Sequence, residues 1–247
     1  MFSIIEKTVA GGIMRRGRVW MLPVLFLGIS AARADENAFS IVVKGNLTTG
    51  SQLFTNPNSP SAVQRADFIP IKDFFGYGLE LRYQIPDTYL ALGLSAEYVR
   101  ATVSKSLFAP PVTAVPVDDG YRVVPIEMTA YFLIPVSGPF FGVYMGGGAG
   151  VYIGRRDYSV AGTEAATTDW GHGFGIHVLG GFSFQLNNWF ALNAEMKFRD
   201  LQFSTTNAFA VSRIRYQSAT VNLSQTPFAS QVHTDGIVFQ LGAAISF

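Results

Sequence analysis

The sequence predicts an all-β fold: a transmembrane, antiparallel, up-and-down β-barrel of eight strands, with short periplasmic turns and long extracellular loops. Three observations carry that expectation. Eight segments alternate apolar and polar residues with period two. The connections between them alternate short and long. Between the first and last apolar residue of each segment the apolar face holds no charge, as exposure to lipid requires.

The first element is not part of the barrel. Residues 14–34, MRRGRVWMLPVLFLGISAARA, have the three parts of a secretory signal. Arg15, Arg16 and Arg18 form the basic end, 19–29 is a short apolar run, and Ala32-Arg33-Ala34 fits a cleavage site. The run falls short of the roughly 20 residues a transmembrane helix needs. Met14, directly before the arginines, is a candidate start, which makes 1–13 an extension. The expected division is therefore 1–34, extension plus cleaved signal peptide, and 35–247, the barrel domain. Removing 1–34 leaves 13 basic and 16 acidic residues, a net charge of −3. That balance excludes a nucleic-acid partner as the reading. With no cysteine in the chain, stability must come from burial and strand pairing.

The eight segments are 38–47, 74–85, 88–99, 122–134, 139–154, 172–185, 189–200 and 235–247. The first places Phe39, Ile41, Val43 and Leu47 on one face, and the second Phe75, Tyr77, Leu79, Leu81 and Tyr83. The third offers Leu90, Leu92, Leu94, Ala96 and Tyr98, and the fourth Val124, Ile126, Met128, Ala130, Phe132 and Ile134. The fifth gives Phe141, Val143, Met145, Ala149, Val151 and Ile153, and the sixth Phe174, Ile176, Val178, Phe182 and Phe184. In the seventh, WFALNAEMKFRD, Phe190, Leu192, Ala194, Met196 and Phe198 alternate with residues that include Glu195, Lys197 and Arg199. The eighth ends the chain with Ile237, Phe239, Leu241, Ala243, Ile245 and Phe247. Pro86-Asp87, residues 135–138 and Asn187-Asn188 are tight turns with Pro, Gly or Asn chemistry. Residues 48–73, 100–121, 155–171 and 201–234 read as long, polar, irregular loops, the last extending as a hairpin above the membrane. Ten residues at about 3.3 Å rise, tilted near 45°, cover about 23 Å, close to the apolar band of such barrels.

Alternation alone fits a soluble barrel with its oily face inward equally well. Side-chain size decides otherwise. The polar face carries Gly142, Gly146, Gly148, Gly150, Gly173, Gly175, Gly181 and Gly242, which suit a narrow lumen better than a water-facing wall. The same face holds Lys44, Glu80, Arg82, Glu97, Glu127, Glu195, Lys197 and Arg199, four of each sign. A lumen tolerates buried charges only when they are paired, and this set can neutralise itself. Phe39, Tyr83, Phe141, Phe184, Phe190 and Phe247 lie on the apolar face beside the short turns, as an interfacial aromatic girdle does. The oily face therefore meets lipid.

The final strand, GIVFQLGAAISF, alternates and stops at Phe247. This ending resembles the assembly signal of Gram-negative outer-membrane proteins. The layout from 38 to 247 resembles the small eight-stranded barrel family that includes the outer membrane protein A transmembrane domain and the opacity-type porin-like proteins. The resemblance implies an outer-membrane location in a Gram-negative cell and contact with outer-membrane lipid and lipopolysaccharide. It also implies help from periplasmic chaperones and the barrel assembly machinery. It departs from outer membrane protein A in one respect: a peptidoglycan-binding domain is not expected, because the chain stops with the barrel.

No motif for chemistry emerges. His172, His177 and His233 are scattered and lack a metal-ligand spacing. His172 with Asp169, or His233 with Ser230 and Asp235, resemble parts of a lipid-modifying site, but spacing does not bring such groups into contact. GGGAG at 146–150 has no following Lys-Ser or Lys-Thr and no G-x-G-x-x-G spacing. Arg100, Arg122, Arg155 and Arg156 stand just beyond the apolar spans, where they are candidates to pair with lipopolysaccharide phosphates or to form an ordinary solvated rim. The expected function is a structural or surface-interacting barrel with a largely plugged lumen, without enzyme activity or cofactor. The competing class is a narrow porin-like channel, favoured by the Gly-rich lumen face of the fifth and sixth segments; an outer-membrane lipid-modifying enzyme is a third. The sequence names no partner for the loops.

Overall fold

A computed structural model describes residues 38–109, 112–135, 138 and 140–247. The expected signal segment, 1–34, and the residues up to 37 lie outside them.

Fourteen strands appear among the described residues: β1 Phe39–Phe54, β2 Phe68–Gln84, β3 Leu90–Ala109, β4 Val112–Ile134, β5 Phe141–Val160, β6 Thr163–Glu164, β7 Ala166–Asp169, β8 Gly171–Asn187, β9 Phe190–Arg199, β10 Leu201–Ala208, β11 Arg213–Tyr216, β12 Ala219–Asn222, β13 Phe228–Thr234 and β14 Ile237–Ser246. One short helix, α1 Ala62–Arg65, sits in the first loop. Eight strands form a closed antiparallel ring in the order β1-β2-β3-β4-β5-β8-β9-β14, with β14 pairing back to β1 from Ser40↔Ser246 to Thr48↔Val238. Closure leaves no sheet edge in lipid, where an unpaired backbone group would cost several kcal/mol. The seam runs to the last residue. Phe39 N–H donates to Phe247 O at 3.2 Å, and Phe247 N–H donates to Phe39 O at 2.8 Å.

The expected facing holds throughout the ring. Val43, Phe75, Leu94, Met128, Phe174 and Leu241 point outward and are more than half exposed on the isolated chain. Lys44, Glu80, Glu97, Glu127, Glu195, Lys197 and Arg199 point inward and are buried. At the periplasmic end the girdle is assembled by register: Phe39 lies opposite Tyr83 with ring centroids 4.8 Å apart, and Phe141 lies opposite Phe184.

The long connections differ from their expected irregularity. Half of 48–73 and nearly all of 100–121 is strand, because β1 to β5 run on above the membrane as extended hairpins. β9 and β14 likewise continue as β10 and β13, which pair with each other from Leu201↔Thr234 to Asn207↔Phe228; the small hairpin β11–β12 lies between them. The periodicity is hidden because its sense inverts. On β3, Leu94, Ala96 and Tyr98 face out below the boundary, and Arg100, Thr102 and Ser104 face out above it. Val99 and Ala101 on the same strand face in. Above the lipid the wall meets water, so on β3 the ordinary soluble rule of apolar-in, polar-out returns without a change of phase.

Candidate functional site

The lumen is filled in layers. Each layer is built from residues that strand parity sends inward and that barrel shear brings to one height. Nearest the periplasm, Tyr131 and Tyr144 meet edge to face with centroids 5.8 Å apart, and the Arg82 guanidinium stacks over both rings, 4.0 and 5.3 Å from their centroids.

Two charged quartets lie beside and above these rings. In the first, Lys44 contacts Glu80 and, at 2.9 Å, Glu195; Arg82 Nε lies 2.8 Å from Glu80, and its Nη2 lies 3.0 Å from Glu195. The Tyr131 hydroxyl donates to Glu80 at 2.8 Å and the Tyr144 hydroxyl to Glu195 at 2.8 Å. In the second, Lys197 Nζ reaches Glu97 at 3.2 Å and Glu127 at 2.9 Å, while Arg199 approaches each of these carboxylates at 2.7 Å. Gln240, Asn46 and the Tyr152 hydroxyl donate to the same acids at 3.0, 3.1 and 3.1 Å. The eight network residues read from the sequence are thus all brought together, as two neutral sets of four. His177 is buried against the second set, with Nε2 2.9 Å from Thr129 Oγ1. Charges this deep are tolerated because each carboxylate meets two cations and at least one neutral donor.

Above them is a layer that the sequence reading missed. Leu53, Ile71, Phe74, Val99, Ala101, Tyr121, Val123, Leu201, Phe203 and Val232 are buried together with the Tyr152 ring. Tyr121 packs edge-on against Phe74 and Phe203, with centroids 5.9 and 6.1 Å apart. Most of these residues fall in segments read as irregular loops; carrying strand parity past the last lipid-facing residue finds those continuing β3, β4, β9 and β14, whereas Leu53 and Ile71 lie beyond a change of phase in β1 and β2.

Arg156 needs correction as a candidate lipopolysaccharide contact. It points inward on β5, following Gly150, Tyr152 and Gly154, and is 5% exposed. It makes a bidentate pair with Asp119 at 2.8 and 2.7 Å and donates to Ser230 Oγ at 2.7 Å. The other three point outward from adjacent strands and stand directly opposite one another, Arg100↔Arg122 and Arg122↔Arg155. All three turn toward Asp157: Arg100 at 3.9 Å, Arg122 at 2.6 Å and Arg155 at 3.5 Å. The hydrogen bond to Asp157 raises the Arg122 guanidinium further above its ordinary value. Arg155 also lies over the Trp170 ring, 5.4 Å from its centroid.

Neither imagined catalytic set is assembled. Ser230 faces the interior and accepts from Arg156, whereas His233 faces outward with Nε2 3.2 Å from Asp200 Oδ1. Asp235 accepts from Gln52 Nε2 at 2.9 Å, and His172 and Asp169 form no ion pair with each other. Among the described residues no cluster of His, Asp or Glu could hold a metal ion.

A family model described as outer membrane protein beta-barrel domain matches residues 21–226. No relative matches among curated proteins. Solved structures with a similar fold include Neisserial surface protein A, 13% identical over 85% of this chain and 97% of that one, with a TM-score of 0.44. Ail, the attachment invasion locus protein of Yersinia pestis, is 13% identical over 85% and 99%, with a TM-score of 0.41. A major outer membrane protein from Thermus thermophilus is 11% identical over 85% and 100%, with a TM-score of 0.48.

Proposed function

The chain belongs to the outer membrane protein beta-barrel domain family and is an integral protein of the Gram-negative outer membrane, and from that premise we propose that it is a closed barrel with a structural and surface-interacting role. The observation that carries this reading is the stack of two neutral quartets beneath an apolar layer. A hydrated ion meets charges already paired to each other from the periplasmic side, and from the outer side an apolar layer with little to replace its water.

The Gly-rich face of β5 and β8 is the feature that favours a channel. Those glycines make room for neighbours. A Cβ on Gly150 would sit 2.7 Å from Glu127 Cγ, and one on Gly181 would sit 2.9 Å from both Glu195 Cγ and the Tyr144 ring. The space is occupied by the side chains of the quartets, which argues for a plug over a pore. The separation of Ser230 from His233 likewise weighs against a lipid-modifying enzyme.

Outer-membrane lipid and lipopolysaccharide are the surrounding partners in this reading. Periplasmic chaperones and the barrel assembly machinery are partners in folding, and Phe247 is the terminal residue of the assembly signal. Its backbone pairs with that of Phe39 across the seam. Reconstitution in planar bilayers tests the central claim: no steady single-channel conductance is expected, and a reproducible conducting step would overturn it.

A further inference from the structure

We propose that the extracellular end of the barrel carries a binding pocket for a small uncharged molecule that joins a flat apolar body to a hydrogen-bond acceptor, with Arg156 as its polar contact. The pocket lies beyond the apolar layer, so the inference does not depend on whether the lumen conducts.

The argument begins with what the strands send inward above that layer. On β5 the inward positions after Tyr152 and Gly154 are Arg156, Tyr158 and Val160. Arg156 belongs to a buried polar belt with Asp119, Thr205, Asn207 and Ser230. Above the belt a second apolar cluster forms from Val115, Val117, Val160, Ala165 and Phe209. One continuous apolar core would avoid the cost of burying a guanidinium there. Instead Arg156 lines a cavity of about 350 Å³, at the small end of the range for small-molecule sites.

The lining supplies the second argument. Tyr158, Phe209 and Phe228 form a triangle of rings with centroids 5.7, 5.9 and 6.2 Å apart. Val221 and Leu223 extend the apolar wall, and the exposed Asn56, Asn222 and Ser224 give it a polar edge. The Arg156 guanidinium lies over two of the rings, 4.6 Å from the Tyr158 centroid and 5.6 Å from that of Phe228. Asp119 accepts one N–H from Nε and one from Nη2, and Ser230 accepts one from Nη1. Each terminal nitrogen therefore keeps one N–H unspent, on a fork already held in place.

Charge selects among the occupants. Arg156 is the one charged residue lining the cavity among the described residues, and Asp119 neutralises it. An anion gains little net attraction here and must shed its water among aromatic rings, and a cation meets the guanidinium. An uncharged carbonyl oxygen accepts an unspent N–H with far less desolvation, while its apolar body packs against the rings. The volume suits a molecule of about one or two rings.

The test uses the folded full barrel held in an amphipathic polymer, with calorimetric titration of 4-phenyl-2-butanone, 3-phenylpropionate, 3-phenylpropylamine and propylbenzene. Polymer without protein is the blank, and heat-modifiable gel migration checks the fold of each variant. The ketone should bind saturably, with the anion and the amine each at least about tenfold weaker. Tighter binding of the anion would overturn the uncharged class, and absence of saturable ketone binding would overturn the pocket. Val221→Trp adds a ring to the cavity and should abolish ketone binding; a folded variant that binds as before overturns the placement. Arg156→Lys keeps the charge beside Asp119 but loses the fork. It should weaken the ketone about tenfold and leave propylbenzene unchanged, whereas equal loss of both would overturn Arg156 as the polar contact.

Discussion

Lys197 shows what one lumen residue does. Its Nζ stands between Glu97 and Glu127, 3.2 and 2.9 Å away, and is essentially out of contact with water. Replacing it with Met keeps the volume and leaves two buried carboxylates to share Arg199. Breaking a buried ion pair from one side costs about 3–5 kcal/mol, because the remaining charge is uncompensated. The expected outcome for Lys197→Met is a clearly lower urea midpoint for the heat-modifiable band, and an unchanged midpoint would contradict the pairing. Residue identity made the eight charges legible in advance, since charged side chains at alternate positions of an otherwise apolar segment have only one tolerable face in lipid. Arg156 was misplaced for the complementary reason. It was judged by its distance beyond the apolar span, whereas its parity with Tyr152 and Gly154 sends it inward to Asp119.

At the scale of elements, the wall formed by β4, β5 and β8 depends on glycine where strands and side chains crowd. A Cβ on Gly148 would overlap the Met128 carbonyl oxygen and lie 3.0 Å from the His177 ring. Gly180, on the lipid face of β8, has nothing within 4 Å of the same position. Gly148→Ala should therefore destabilise the barrel by about 1–3 kcal/mol through overpacking, while Gly180→Ala should be close to neutral; paired unfolding curves in urea check the contrast. The strands also alter their alternation where they leave the membrane. Asp73 has φ of +52°, and Ile71 and Phe74, three residues apart on β2, are both buried in the lumen. A single non-glycine residue in the left-handed region is tolerated best when its side chain is short and polar. Such a local turn cannot be read from a period-two pattern, which simply loses phase.

Across the whole molecule, closure is redundant. The quartets lie below and the apolar layer above, and they are built from different residues with different chemistry. Phe203→Ala opens a gap over Gly154 and Gly171, where the ring now rests, but leaves both quartets in place. Lys197→Met disrupts one quartet and leaves the apolar layer intact. Neither variant alone is expected to conduct in planar bilayers, and steady conductance from either would show that one layer does all the sealing. The same layering separates the lumen from the outer wall, so the Arg100–Arg122–Arg155 row can be changed without touching the plug.

The sequence by itself determined which face meets lipid, how many strands cross, and that the lumen charges balance. Those features follow from local rules: a two-residue period, the cost of charge in hydrocarbon, and the chemistry of tight turns. Only the tertiary structure decided that the eight charges divide into two quartets, that an apolar layer caps them, and that three arginines align across β3, β4 and β5. These features depend on shear and register, which set the height of each residue against distant partners, as with Lys44 and Glu195, 151 positions apart in the chain. No alternation within one strand contains that information.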